Sequence, residues 1–243
     1  LRVLPGQPPL KHWTQVHLHL GAEDVPARIA LLGADEIPPG GEHLAQITLE
    51  RDIGALAGDR FILRDAAARH TIGGGRVLDI FPPTRKKRSP ERLAMLAALA
   101  DDNPASALQL ATSQQAGGID LDTYALNRNL DTATLHAIAG ELGLKQVGTT
   151  AFSAAHWQAL EDRLLAALAA EHERAPDMPG VERDRLRRLT QPALARPAFD
   201  TLLASPLADG RIAQTNAWLH LPEHRVQMGA GDRDLWQTLK PLL

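Results

Sequence analysis

The sequence has 243 residues, 44% hydrophobic and 23% charged, which excludes a disordered tail or a fibrous repeat and suits folded domains. It contains no cysteine, so disulfide frameworks, zinc–thiolate sites and thiol catalysis are out, and no apolar run nears the roughly 20 residues of a membrane span. With 26 Lys+Arg against 29 Asp+Glu and only 4% aromatic residues, no global basic field or broad stacking surface advertises nucleic acid, and any such contact is local.

The first 82 residues read as strands. Val16, Leu18 and Leu20 alternate with Gln15, His17 and His19, the period of a half-buried strand. Further β runs are expected at 27–32, 44–49, 60–64 and 76–80. Turn clusters separate them: Gly33-Ala34-Asp35, Pro38-Pro39-Gly40-Gly41, Gly58-Asp59 and Gly73-Gly74-Gly75. Short, evenly spaced strands without helices between them predict an antiparallel barrel or sandwich over 1–82.

The texture changes at Phe81-Pro82-Pro83. Residues 83–89, with Arg85, Lys86, Lys87 and Arg88, read as a stiff, solvated connector. Ser89-Pro90-Glu91 then supplies an N-cap, a first-turn proline and an acid. Helices are expected near 90–100, 104–112, 122–127 and 131–141, followed by β runs at 144–147 and 150–152 around Gly148-Thr149. A long helix from about 154 to 173 places Trp157, Leu160, Leu164 and Leu168 on one face. The pattern recurs with helices near 181–190 and 197–204 and β runs at 210–214 and 217–221. A last helix from near Asp232 echoes Trp157-Gln158-Ala159-Leu160 with Trp236-Gln237-Thr238-Leu239. Helices followed by a hairpin predict winged-helix modules over 90–152 and 153–228, with the start of a third over 229–243. An all-helical solenoid is the competing plan, but it does not need the hairpins. The fold class expected is therefore multidomain, an antiparallel β-barrel followed by mainly α tandem winged-helix modules. Both ends, Leu1 without a methionine and Leu243 inside a helical pattern, read as those of a piece of a longer chain.

Few residues carry chemistry. The run His70-Thr71-Ile72-Gly73-Gly74-Gly75-Arg76 admits two readings: a tight turn between strands, or exposed amides beside Arg76 gripping an RNA backbone. It is not a nucleotide fingerprint, because strand residues rather than a helix follow it. His17-x-His19 puts two imidazoles on one strand face without an evident third metal ligand, so no metal is expected. Asp177-Met178-Pro179-Gly180 matches a short GTPase pattern, but the chain has no G-x-x-x-x-G-K-[ST] loop to accompany it. No nucleophile motif appears, so the chain itself is expected to be no enzyme and to hold no cofactor. Two basic clusters remain: Arg85–Arg88, and Arg183, Arg185, Arg187 and Arg188 on a helix shared with Glu182 and Asp184. Such runs are ordinarily solvated faces, yet on winged-helix modules they meet phosphates, which singles out Arg85, Lys86, Lys87, Arg88, Arg183 and Arg187.

Several segments together resemble a known family. Val16-His17-Leu18-His19-Leu20-Gly21, Pro26-Ala27-Arg28, Pro39-Gly40 leading to Gln46, Gly58-Asp59-Arg60-Phe61-Ile62-Leu63-Arg64 and Thr71-Ile72-Gly73-Gly74-Gly75-Arg76-Val77-Leu78-Asp79 are similar to the third, Tu-like barrel of the bacterial selenocysteine-specific elongation factors, the SelB family. The segments at 60–64 and 71–75 also resemble the barrel of elongation factor Tu, which ends where this chain continues into winged helices. Beyond residue 84 the resemblance rests on architecture and on Ala107-Leu108-Gln109-Leu110-Ala111 and Ala116-Gly117-Gly118-Ile119-Asp120-Leu121. It implies a cytoplasmic factor that delivers selenocysteinyl-tRNA to the ribosome at recoded UGA codons, with GTP and Mg2+ bound by a GTPase domain that this sequence lacks. It implies that the mRNA hairpin is held mainly by further modules. It also makes His70, Thr71, Gly73, Gly74, Gly75 and Arg76 the candidate tRNA contacts, favouring the RNA reading of the glycine run. The competing reading is a DNA-binding winged-helix regulator with a β sensor domain. That reading needs Arg, Asn or Gln on a recognition helix, which 131–141 lacks.

Overall fold

The computed structural model describes residues 1–227 and residue 240, in two compact units, Leu1–Leu144 and Lys145–Leu243. The helix expected from near Asp232, and with it the start of a third module, lies outside the described residues.

In the first unit, β1 (Arg2–Val3), β3 (Thr14–Leu20), β4 (Glu23–Leu31), β6 (Ala45–Leu49), β7 (Arg60–Arg64) and β8 (Thr71–Arg76) form a six-stranded sheet of order β1-β8-β7-β3-β4-β6. Every pairing in it is antiparallel. Two shorter strands, β2 (Leu10–Lys11) and β5 (Glu36–Ile37), pair beside it. The alternation in the sequence is realised as two faces: Val16, Leu18, Val25, Ala27, Ile29, Leu31, Phe61 and Leu63 point inward and pack with Val3, Leu10 and Ile37. The segment leading into β6 closes the sheet on β1. Val3 N–H donates to the Gly41 carbonyl at 3.0 Å, Gly40 N–H to the Val3 carbonyl at 3.1 Å and His43 N–H to the Leu1 carbonyl at 2.9 Å. Those bonds cover the edge that β1 would otherwise leave open to another strand.

The glycine run corrects the sequence reading. Gly73, Gly74 and Gly75 are not a turn but the middle of β8, bonded between β1 and β7, and none has a positive φ. Glycine is needed there for space. A Cβ on Gly73 would collide with the Arg2 carbonyl oxygen, one on Gly74 would lie 2.6 Å from the Phe61 carbonyl oxygen, and one on Gly75 2.7 Å from the Phe61 ring. The strand expected at 76–80 correspondingly ends at Arg76. Residues beyond it bond elsewhere: Val77 N–H donates to the Asp59 carbonyl at 2.8 Å, and Ile80 N–H to Asn127 Oδ1 at 3.0 Å.

Four helices complete this unit: α1 (Pro90–Leu99), α2 (Pro104–Gln114), α3 (Leu121–Arg128) and α4 (Thr132–Glu141), with the short β9 (Ile119–Asp120) before α3. Their starts follow local chemistry. The side chains of Ser89, Asn103, Asp120 and Asp131 each accept a backbone N–H of the first turn. The helices are fastened to the barrel. Buried Asn127 on α3 takes the Ile80 N–H, and its backbone carbonyl takes the Ala57 N–H at 3.0 Å. Arg92 on α1 pairs with Asp79 at 2.6 Å, both largely buried.

The second unit opens with the hairpin β10 (Lys145–Val147) and β11 (Thr150–Phe152), followed by α5 (Ala154–Arg174). Next come β12 (Val181–Glu182), α6 (Arg183–Thr190), α7 (Arg196–Ala208), β13 (Ala213–Thr215) and β14 (Trp218–His220), the strands forming a sheet of order β12-β14-β13. Leu160, Leu164 and Leu168 of α5, expected on one face, are fully buried against Leu186, Phe199, Leu202 and Leu219. Val181 and Glu182 were expected to begin a helix. They are a strand because β14 offers a partner, pairing Val181 with Leu219 and Glu182 with Trp218. Helices followed by a hairpin turning at Asn216 (φ +54°) make this unit winged-helix, so the architecture is an antiparallel barrel followed by a helical winged-helix domain.

Candidate nucleic-acid interface

β7 reads Arg60-Phe61-Ile62-Leu63-Arg64, and its period of two sends Phe61 and Leu63 into the barrel and Arg60, Ile62 and Arg64 outward. On the neighbouring β8, Arg76 stands opposite Arg60, Gly74 opposite Ile62, and Thr71 opposite Arg64 across a bulge. Arg2 of β1 flanks Gly74 on its other side. The outer face of β1-β8-β7 therefore carries an arginine array around a glycine that leaves the backbone uncovered, with Ile62 52% exposed beside it. The turn joining β7 to β8 is held by Asp65. Its carboxylate accepts the Arg69 N–H at 2.6 Å and the His70 N–H at 3.2 Å, and the Arg69 bond is the main cause that holds its pKa below the usual carboxylate range. His70 and Thr71 are exposed at the start of β8.

These arginines differ in what they already hold. Arg2, Arg60 and Arg69 form no ion pair among the described residues, and Arg64 donates to the Ala68 carbonyl at 3.2 Å. Arg76 is engaged: it pairs with Asp102 and donates to the carbonyl of Ala100, the C-cap of α1, at 2.6 Å. A cation there complements the negative end of the helix, so Arg76 fastens α1 to the barrel. His17 and His19 both turn to Asp24. His17 Nδ1 lies 2.8 Å from Asp24 Oδ1, a bond that lowers the Asp24 pKa, and His19 Nε2 lies 3.7 Å from the same oxygen. No group of three or more His, Asp or Glu among the described residues is arranged to hold a metal ion.

The two basic clusters separate on the same criterion. Arg85, Lys86 and Arg88 are exposed, Lys87 is half-buried, and none of the four forms an ion pair with a carboxylate among the described residues. In the second unit the arginines of the cluster lie in ion pairs. Arg183 pairs with Asp200 at 2.7 Å, Arg185 with Glu171 at 2.7 Å, and Asp184 holds Arg187 at 3.2 Å, Arg188 at 2.5 Å and Arg196 at 3.5 Å. Arg187 also donates from Nη1 to the Leu194 carbonyl at 2.8 Å, a second bond within the fold. An arginine with a satisfied fork has less to gain from phosphate, so the first unit is the stronger candidate.

Sequence reasoning found the cations but missed which were free, because pairing depends on acids distant along the chain. Asn127, Trp13 and the acidic hub at Asp184 were missed as well. For Trp13, an aromatic following His12 ahead of an alternating strand was the available signal.

Residues 2–84 match the family model described as "Selenocysteine-specific elongation factor, beta-barrel domain", and residues 165–221 match "Elongation factor SelB, winged helix". The chain is 32% identical over 237 residues to the selenocysteine-specific elongation factor of Escherichia coli, covering 96% of this chain and 37% of that protein. It is 29% identical over 228 residues to the factor of that name from Haemophilus influenzae, covering 94% of this chain and 37% of the relative. The chain thus spans little more than a third of the length of these relatives. Its fold is similar to the crystal structure of the bacterial selenocysteine-specific elongation factor EF-Sec, with a TM-score of 0.59 at 14% identity, over all of this chain and 36% of that one.

Proposed function

From the premise that this chain belongs to the selenocysteine-specific elongation factor family, SelB, we propose that it is the C-terminal part of such a factor, its barrel contacting selenocysteinyl-tRNA. In this reading the barrel spans 1–82, a connector 83–89, and winged-helix modules 90–152 and 153–228 lead toward the part that holds the mRNA hairpin. GTP, Mg2+ and hydrolysis belong to a domain outside these 243 residues, and the chain's own work is binding, in the cytoplasm and on the ribosome. The observation that carries the reading is the outward arginine array around Gly74, in which Arg2 and Arg60 form no ion pair among the described residues. A-form RNA is recognised by shape, phosphate and 2′-hydroxyl contacts, and guanidinium groups on the outer face of a strand provide phosphate contacts without reading bases. The regulator reading has less support, because the exposed side of α4 carries Ala133, Thr134, His136 and Ala137 and no Arg, Asn or Gln for bidentate readout of base edges.

Arg60 tests the proposal. It is exposed and unpaired, so Arg60→Ala leaves the fold intact while weakening binding to tRNA. The plot of log affinity against log salt should flatten by about 0.9 for each phosphate that is no longer neutralised. Filter binding of tRNA and of duplex DNA across a salt series measures this. Wild-type tRNA affinity in Arg60→Ala, or a preference for random duplex DNA, sinks the reading.

A further inference from the structure

Trp13 occupies a backbone conformation that its side chain disfavours, with φ at +65°, and exposes 51% of its surface. The chain forces it there while changing sheets. Leu10 and Lys11 pair with β5, His12 N–H donates to the Asp35 carbonyl at 2.9 Å, and from Thr14 onward the partner is β4. Trp13 N–H must reach the Ile29 carbonyl, 2.7 Å away, within that switch. Glycine or asparagine would take this position without strain. A large exposed ring kept at such a site is the kind of observation from which function is inferred.

Its surroundings name a ligand class. The His12 ring meets the indole edge-on, centroids 5.4 Å apart. His12 Nδ1 accepts the Leu31 N–H at 3.1 Å, and Arg88 Nη2 lies 3.0 Å from that nitrogen and 3.5 Å from Nε2, which places the guanidinium beside the aromatic pair. Arg88 has no carboxylate partner among the described residues, and Arg85 and Lys86, just before it, are exposed and form no ion pair there. Lys11 adds a further exposed cation. The acids nearby are Asp35 and Glu36 across from β2, and Glu91, whose charge is felt at Lys86. An uncovered ring next to cations outside any ion pair suits an unstacked base, with the base on the indole and its phosphate on the guanidinium. The geometry points to Trp13, with Arg88 and the basic run before it, as a site for one unstacked nucleotide of a single-stranded RNA segment. The inference rests on the RNA-binding reading above but uses another place, about 20 Å along β3 from His19, the residue in line with Ile62 and Gly74.

The test uses the 243-residue chain and a fluorescein-labelled oligouridylate of about twelve nucleotides, followed by anisotropy. Trp13→Gly is expected to weaken binding about tenfold or more and to leave the thermal midpoint near that of the wild type, because it removes the ring while relief of the backbone offsets the packing lost. Trp13→Phe keeps most of the affinity. Arg88→Ala weakens binding and flattens the salt dependence by about 0.7. Wild-type affinity in Trp13→Gly overturns the inference. So does a weakened affinity accompanied by a lower midpoint and no rescue by phenylalanine, which would make the indole a packing element. If Arg60→Ala fails to bind tRNA while Trp13→Gly binds oligouridylate normally, the barrel reading stands and this site falls. If the wild type binds neither RNA, both fall.

Discussion

Gly74 has the Phe61 carbonyl where a side chain would begin, and the obstacle is backbone, which has no rotamer to yield. Gly74→Ala should therefore destabilise the barrel by about 1–3 kcal/mol in denaturant titration, as overpacking does. Gly117→Ala is the control: nothing lies within 4 Å of its added methyl group, so it should fall within about 0.5 kcal/mol of wild type. Equal effects at the two sites would remove the steric account of β8. The same residue shows why the sequence misled. Three consecutive glycines ordinarily mark a turn, and nothing within the segment reveals that Arg2 and Phe61, both distant along the chain, press on it from two sides. Arg76 was legible as an important cation, but its partner Asp102 lies 26 residues on and was not.

At the scale of elements, α5 and the segment after β14 share a histidine stack. The rings of His172 and His224 lie parallel, centroids 3.7 Å apart, and the Leu221 N–H donates to His172 Nε2 at 3.1 Å. Burial first, and then the nearby His224 and His220, hold the His172 pKa below its ordinary value. The unfolded chain therefore takes up a proton near its ordinary value of about 6.5 that the folded chain resists, so this stability is complete above that pH and falls below it. Asp184, Asp209 and Glu171 behave differently. Bonds from Arg187, Arg211 and Arg174 respectively lower their pKa, so their contribution persists above the carboxylate range and is lost only beneath it. Melting curves of the second unit should thus decline in two steps as pH falls, one setting in near the ordinary histidine value of about 6.5 and another below about pH 4. His172→Gln, whose amide oxygen can still accept the Leu221 N–H, should remove the first step alone. Persistence of that step would place it on another group. Helix starts were readable because caps are local, as Ser89 and Ser153 illustrate, each accepting a first-turn N–H at 3.2 Å. Strand β12 was not, since its identity depends on β14, far later in the chain.

For the molecule as a whole, the informative junction lies within the first unit. Residues 83–89 read as a solvated connector between barrel and helices, yet just before it residues 78–80 are stitched to α3 through Asn127, and Asp79 to Arg92 on α1. Asn127→Ala would leave the half-buried Ile80 N–H and Leu78 carbonyl without that partner, at a cost of about 1–3 kcal/mol. Hydrogen exchange should then show amides of β7 and α3 losing protection together, as members of one cooperative unit. Loss confined to α3 would mean that the barrel stands alone. The alternation at 76–80 that read as a strand marked a real constraint, but its partner is a helix side chain rather than another strand.

Asp184 has a consequence for how such modules diversify. One carboxylate restrains Arg187, Arg188 and Arg196 on a surface that is otherwise rich in guanidinium groups. A single transition in its codon, turning aspartate into asparagine, would unbalance all three without touching the packed leucines beneath. A winged-helix face whose guanidinium groups are held by a carboxylate and one whose guanidinium groups are free can thus be neighbours in sequence space, separated by one inherited base change and not by a new fold.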